Sequence, residues 1–140
     1  SFHPETANNK IFRLLNQMKD AGKKCGVVLN PATPAESIAE YAHLLDKVTV
    51  MSVDPGYAGQ KFIPESLNKI RKLINMRKNN GYNYLTEIDG SCNEKTFGQI
   101  AESGVDVFIV GTSGLFSLHE DVSQAWVRMI EIFQRETVAA

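Results

Sequence analysis

Four short runs of apolar and β-branched residues, at 25–29, 48–53, 84–89 and 105–110, alternate with stretches of helical periodicity. This alternation constrains the fold more than any other feature of the chain. Strands that are each followed by a helix return to the same side of a sheet and so pair in parallel. The runs are nearly continuous in apolar character, as expected of strands covered on both faces. The class is therefore α/β. Periodicity leaves two architectures open, an open doubly wound sheet and a closed (β/α)8 barrel.

Local signals set the expected boundaries. Ile11, Leu14, Leu15 and Met18 follow three-and-four spacing within a helix predicted at 8–21, and Gly22 supplies a stop. Thr33, Pro34 and Glu36 combine an N-cap, a first-turn proline and a capping-box acid, predicting a helix at 34–44. A third helix is expected at 64–78, with Leu67, Ile70, Leu73 and Ile74 on one face and Asn79-Asn80-Gly81 ending it. The fourth spans 93–103, with Phe97, Ile100 and Ala101 inward. The last spans 122–136 and carries Ala125, Trp126, Met129, Ile130 and Phe133. The opening Ser1-Phe2-His3-Pro4-Glu5-Thr6 precedes a helix with no strand before it, so it reads as the tail of a strand and its loop.

Composition excludes several function classes. Fifteen Lys and Arg balance sixteen Asp and Glu, with no basic stripe to hold a nucleic-acid backbone. No apolar run approaches the roughly 20 residues of a membrane span. Cys25 and Cys92 are too few for a disulfide framework and lack metal-ligand spacing, which points to a reducing, cytoplasmic setting. No linker or low-complexity tract divides residues 1–140.

In parallel α/β folds, ligands meet the loops that follow the strands, and three such loops are unusual here. The first is Asp54-Pro55-Gly56-Tyr57-Ala58-Gly59-Gln60, whose glycines free backbone N–H groups to approach an anion; its bland alternative is a Pro-Gly turn. The second is Glu87-Ile88-Asp89-Gly90-Ser91. A carboxylate at a strand end can act as a general base or a metal ligand, and equally as a helix cap. The third is Gly111-Thr112-Ser113-Gly114-Leu115-Phe116, after a run at 107–110 expected to be buried; it would form an uncharged phosphate cradle or a simple packing turn. No Walker-type Gly-Lys-Ser/Thr sequence is present. His3, His43 and His119 are scattered, so spacing gives no histidine metal site. Cys92 follows Asp89 closely and lies near a helix start that could lower its pKa, but small-residue packing is the simpler reading; Met51 reads as core.

Together these segments resemble the ribulose-phosphate 3-epimerase family. The resemblance rests on residues 50–63, on Glu87-Ile88-Asp89-Gly90-Ser91 and on Val110-Gly111-Thr112-Ser113-Gly114-Leu115-Phe116. Phe2-His3-Pro4-Glu5 and the stretch 27–34 extend it over nearly the whole chain. The Asp-Gly-Ser and Gly-Thr-Ser-Gly-Leu-Phe variants look closest to the D-allulose-6-phosphate 3-epimerase branch.

The resemblance implies a (β/α)8 TIM barrel that inverts C3 of a ketose phosphate, such as D-allulose 6-phosphate or D-ribulose 5-phosphate. Two aspartates on opposite faces exchange protons through a metal-stabilised enediolate. By that likeness Asp89 is one acid/base and a ligand of a divalent metal ion (Zn, Mn, Fe, Co or Mg). Gly56, Tyr57, Ala58 and Gly59 match the loop over the substrate phosphate; Gly90, Ser91, Gly111, Thr112 and Ser113 match the phosphate-binding backbone, and Met51 lines the pocket. A homo-oligomer is implied too.

The family's second aspartate and two metal-binding histidines lie on earlier strands, for which residues 1–140 hold no counterpart. A whole barrel takes roughly 250 residues. The chain is thus expected to be the C-terminal half of one barrel domain, strands five to eight with the end of strand four. Alone it should bind phosphate better than it catalyses. The competing readings are a non-catalytic phosphosugar-binding half-barrel and a structural half that pairs through open sheet edges.

Overall fold

A computed structural model describes residues 1–7, 9–57 and 59–138. Four parallel strands, β1 (Gly26–Leu29), β2 (Lys47–Met51), β3 (Leu85–Asp89) and β4 (Val107–Ile109), form one sheet in sequence order. The helices are α1 (Ile11–Asp20), α2 (Glu65–Asn80), α3 (Phe97–Glu102) and α4 (Val122–Val138). Phe2 extends the sheet past β1 by a parallel bridge to Val27, receiving the Val28 N–H on its carbonyl at 2.9 Å. The strand-tail reading of the opening residues therefore describes their pairing.

One face of the sheet carries the core. Val27, Leu29, Val48, Val50 and Ile88 are buried there against Leu67, Ile70, Leu73 and Ile74 of α2. The α2 face follows the expected spacing, and Gly81 ends the helix in the left-handed region at φ 68°, where a glycine pays no Cβ penalty. Phe97 of α3, Phe108 of β4 and Phe133 of α4 pack edge-to-face, with centroids 5.1 to 6.2 Å apart.

Three sequence expectations are corrected. Residues 34–44 form two 3-10 turns, Ala35–Ile38 and Ala42–Leu44, rather than one α-helix. Ala35, Ile38, Tyr41, Ala42 and Leu45 are buried, so the segment keeps an inward face although its backbone is 3-10. The expected caps are engaged elsewhere: the Thr33 hydroxyl donates to Glu5 at 2.5 Å and Glu36 pairs with Lys72 at 2.9 Å.

Secondly, α1 and α3 start later than expected, after a 3-10 turn at Pro4–Ala7 and a turn in which Asn93 and Thr96 bond the backbone. Thirdly, none of Val107, Phe108, Ile109 and Val110 is fully buried. β4 is the last strand of the sheet, and on the sheet face opposite the helices Leu85 of β3 and Ile109 are exposed while Thr49 and Glu87 are buried. In α4, Trp126 is 53% exposed, whereas Ala125 and Met129 point inward.

Candidate functional site

A cavity of about 600 Å³ opens at the C-terminal ends of β2, β3 and β4. Its floor follows from register. Parallel pairing sets Asp89 beside Met51 on one side and Ile109 on the other, and all three line the cavity. The walls come from the three loops singled out by sequence: Asp54 to Gln60, Gly90 to Cys92, and Gly111 to Ser113. Met51, Gly56, Tyr57, Gly59, Asp89, Gly90, Ser91, Gly111, Thr112 and Ser113 are thereby brought together. Ala58 lies outside the described residues.

The Asp89 carboxylate makes no hydrogen bond or ion pair among the described residues and caps no helix; the N-cap position of α3 is Thr96. Burial pushes its carboxyl above the usual carboxylate range, and the negative charge of Glu87 adds to this. Glu87, on the same sheet face, is itself neutralised: Lys47 Nζ lies 2.7 Å from its Oε1, and the Thr49 hydroxyl donates to that oxygen at 2.7 Å. A buried carboxylate with both a cation and a hydroxyl is a satisfied one. Glu87 is thus tied down while Asp89 is free to meet a ligand.

The turn after β3 is rigidly held. Ser52, fully buried, donates its hydroxyl to the Gly90 carbonyl at 2.6 Å, and its N–H bonds the Asp89 carbonyl at 2.8 Å. Gly90 has φ 124°, and a Cβ there would lie 2.7 Å from a Val53 methyl, so only glycine fits. The backbone N–H groups of Gly90, Ser91 and Gly111 donate to no acceptor among the described residues. Among the described residues no lysine or arginine lines the cavity. An anion there would be met by N–H groups and hydroxyls rather than by a point charge.

Comparison with known proteins decides the lineage. The model of the ribulose-phosphate 3 epimerase family matches residues 1–116. The chain belongs to the ribulose-phosphate 3-epimerase family.

Similar members of the ribulose-phosphate 3-epimerase family carry that name as proteins. One from Escherichia coli (strain K12) is 38% identical over 81% of this chain and 50% of its own length. Another, from Buchnera aphidicola subsp. Baizongia pistaciae, is 38% identical over 88% of this chain and 54% of its own. A third, from Aquifex aeolicus, is 40% identical over 89% and 55%. The chain spans about half the length of the curated relatives it matches.

Family membership implies a divalent metal. Among the described residues no three His, Cys, Asp or Glu side chains come together to hold an ion. Asp89 offers a single carboxylate, short of the three or more protein ligands such a site uses. The described residues alone do not fit the ion.

Sequence reasoning passed over several lining residues. Gln60 stood in the first loop without a role, and Val53, Ile109 and Ser117 were not singled out, nor was Ser52, which braces the Gly90 turn without lining the cavity. Ser52 and Ile109 carried a signal, being at or next to strand ends; Ser117 enters only through the one-turn π-helix at Thr112–Phe116. Cys92 lines the cavity and is buried, in keeping with the packing reading: burial, with Asp89 nearby, pushes the thiol up to about 12. His43 and His119 lie outside the cavity lining.

Proposed function

We propose that this chain forms the C-terminal half of a (β/α)8 barrel that epimerises C3 of a ketose phosphate. The four-stranded parallel sheet in sequence order, the extra parallel pairing at Phe2, and the half-length match to the relatives support that placement. The observation that carries the activity is the position of Asp89. Its unpartnered carboxyl sits between Met51 and Ile109, beside the unengaged N–H groups of Gly90, Ser91 and Gly111.

The family resemblance, together with this geometry, supports a division of labour. Gly90, Ser91, Gly111, Thr112 and Ser113 bind the phosphate, and the loop bearing Gly56, Tyr57, Ala58 and Gly59 covers it. Met51 presents an apolar wall to the sugar. Asp89 takes or returns the C3 proton on one face of the enediolate. A carboxyl raised above its ordinary range suits a group that must both accept and donate. The acid/base on the opposite face comes from outside the described residues, as do the further ligands of a divalent ion to which Asp89 would contribute one oxygen.

Either D-ribulose 5-phosphate, a ribulose phosphate as in the relatives' names, or D-allulose 6-phosphate, favoured by the Asp89-Gly90-Ser91 variant, fits this reading. The test is deuterium incorporation from solvent at C3 of each sugar, by the intact protein that carries this sequence, with divalent metal added. Exchange is expected. Phosphate binding without exchange would replace the epimerase with a non-catalytic phosphosugar-binding protein.

A further inference from the structure

Ser91 adopts φ 50°, a left-handed backbone that glycine takes at no steric cost and a serine does not. Its side chain does not point to the cavity's anion-facing groups alone; the hydroxyl donates to the backbone carbonyl of Gln60, across the cavity mouth, at 2.5 Å. Behind it the turn is anchored. The Ser91 carbonyl accepts the Thr96 hydroxyl at 2.7 Å and the Asn93 side-chain amide at 3.0 Å, and Ser52 holds the preceding carbonyl of Gly90. In front, Gln60 braces its own loop, its Nε2 donating to the carbonyl of Asp54 and, at 3.0 Å, to that of Tyr57. An unbroken run of hydrogen bonds therefore links the β3 turn to the loop between β2 and α2.

We propose that Ser91 is a positioning residue: through Gln60 its hydroxyl holds the Asp54–Gln60 loop against the β3 turn, setting the width of the phosphate-binding mouth. This rests on the epimerase reading only for its kinetic consequence. The geometric claim concerns the ligand-free protein.

Two variants separate this from a purely structural role. Ser91→Gly removes the hydroxyl and relieves the backbone, and Ser91→Ala removes the hydroxyl alone. Amide hydrogen exchange over residues 54–63 of the intact, substrate-free protein should quicken about three- to tenfold in both, the factor one hydrogen bond of ordinary net strength controls. Ser91→Gly should keep the parent's melting temperature. With sugar phosphate, KM should rise by a similar factor while kcat changes less. Unchanged exchange in the loop, or exchange that quickens throughout the protein together with a lower melting temperature in both variants, overturns the proposal. Faster loop exchange in a protein that shows no epimerisation leaves the positioning role standing and removes only the enzymatic reading.

Discussion

Arg77 at the end of α2 meets Asp106 before β4, with Nη1 2.6 Å from Oδ2. The same carboxylate accepts the backbone N–H of Thr86 at 2.7 Å and its hydroxyl at 2.8 Å, so one aspartate ties a helix end to the starts of two strands. Burial alone would raise the Asp106 carboxyl, but the bonds from Arg77 and Thr86 outweigh it and hold the group below its ordinary value. A carboxyl with a depressed folded pKa stabilises the fold above its unfolded value of about 3.9, and this contribution is lost as pH falls through the folded value. Asp106→Asn should be less stable than the parent near neutrality, by about 1–2 kcal/mol, and lose less on acidification below about pH 4. Urea unfolding at a series of pH values checks this; parallel stability curves would contradict it.

Asp89→Asn keeps the shape of the cavity and removes the proton acceptor. Deuterium exchange at C3 should fall by about 10²–10⁴-fold, the usual worth of a general acid/base. Calorimetric titration of the intact protein with inorganic phosphate should give the parent's affinity, because the Gly90 and Gly111 backbone is untouched. Full retention of exchange would remove Asp89 from the reaction.

Gly114 sits where a Cβ would lie 2.0 Å from the Cys92 carbonyl oxygen. That neighbour is backbone and cannot rotate away, so the π-turn and the β3 turn must separate. Gly114→Ala should cost about 2–3 kcal/mol and lower the melting temperature measured by circular dichroism. Gly22→Ala is a control for glycine loss without crowding, since nothing lies within 4 Å of its would-be Cβ and its φ of 67° carries the only penalty.

Cys92 is buried and its thiol is pushed up to about 12, and burial raises Cys25 as well. Thiolate is the reactive form, so native protein at pH 8 should leave both unmodified by iodoacetamide. Mass-spectrometric mapping should find both sites alkylated only after guanidinium is added. Rapid native modification at Cys92 would mean that the cavity floor opens to solvent.

Much of this arrangement was legible in residues that are local to one another. The β-branched runs, the Leu67-Ile70-Leu73-Ile74 face and Gly81 each act within one element, so their pattern predicts the element. The Gly-rich and Asp-Gly-Ser loops also announced themselves, because backbone approach and a strand-end carboxylate leave a compositional mark. The 34–44 segment misled because its cap residues found distant partners, Thr33 at Glu5 and Glu36 at Lys72, and caps are read on the assumption that they serve their own helix. Ile109 misled because apolar type is not burial on the last strand of the sheet.

The sequence by itself determined the order of strands and helices, the lineage, and which loops could hold an anion. Only the tertiary structure decided that Asp89 stands between Met51 and Ile109, that Glu87 is neutralised by Lys47 while Asp89 is not, and that the Ser91 hydroxyl reaches Gln60. These depend on strand register and on contacts between segments about 20 to 40 residues apart. Local periodicity carries no information about register, because a one-residue slip preserves every local preference while turning each side chain to the other face.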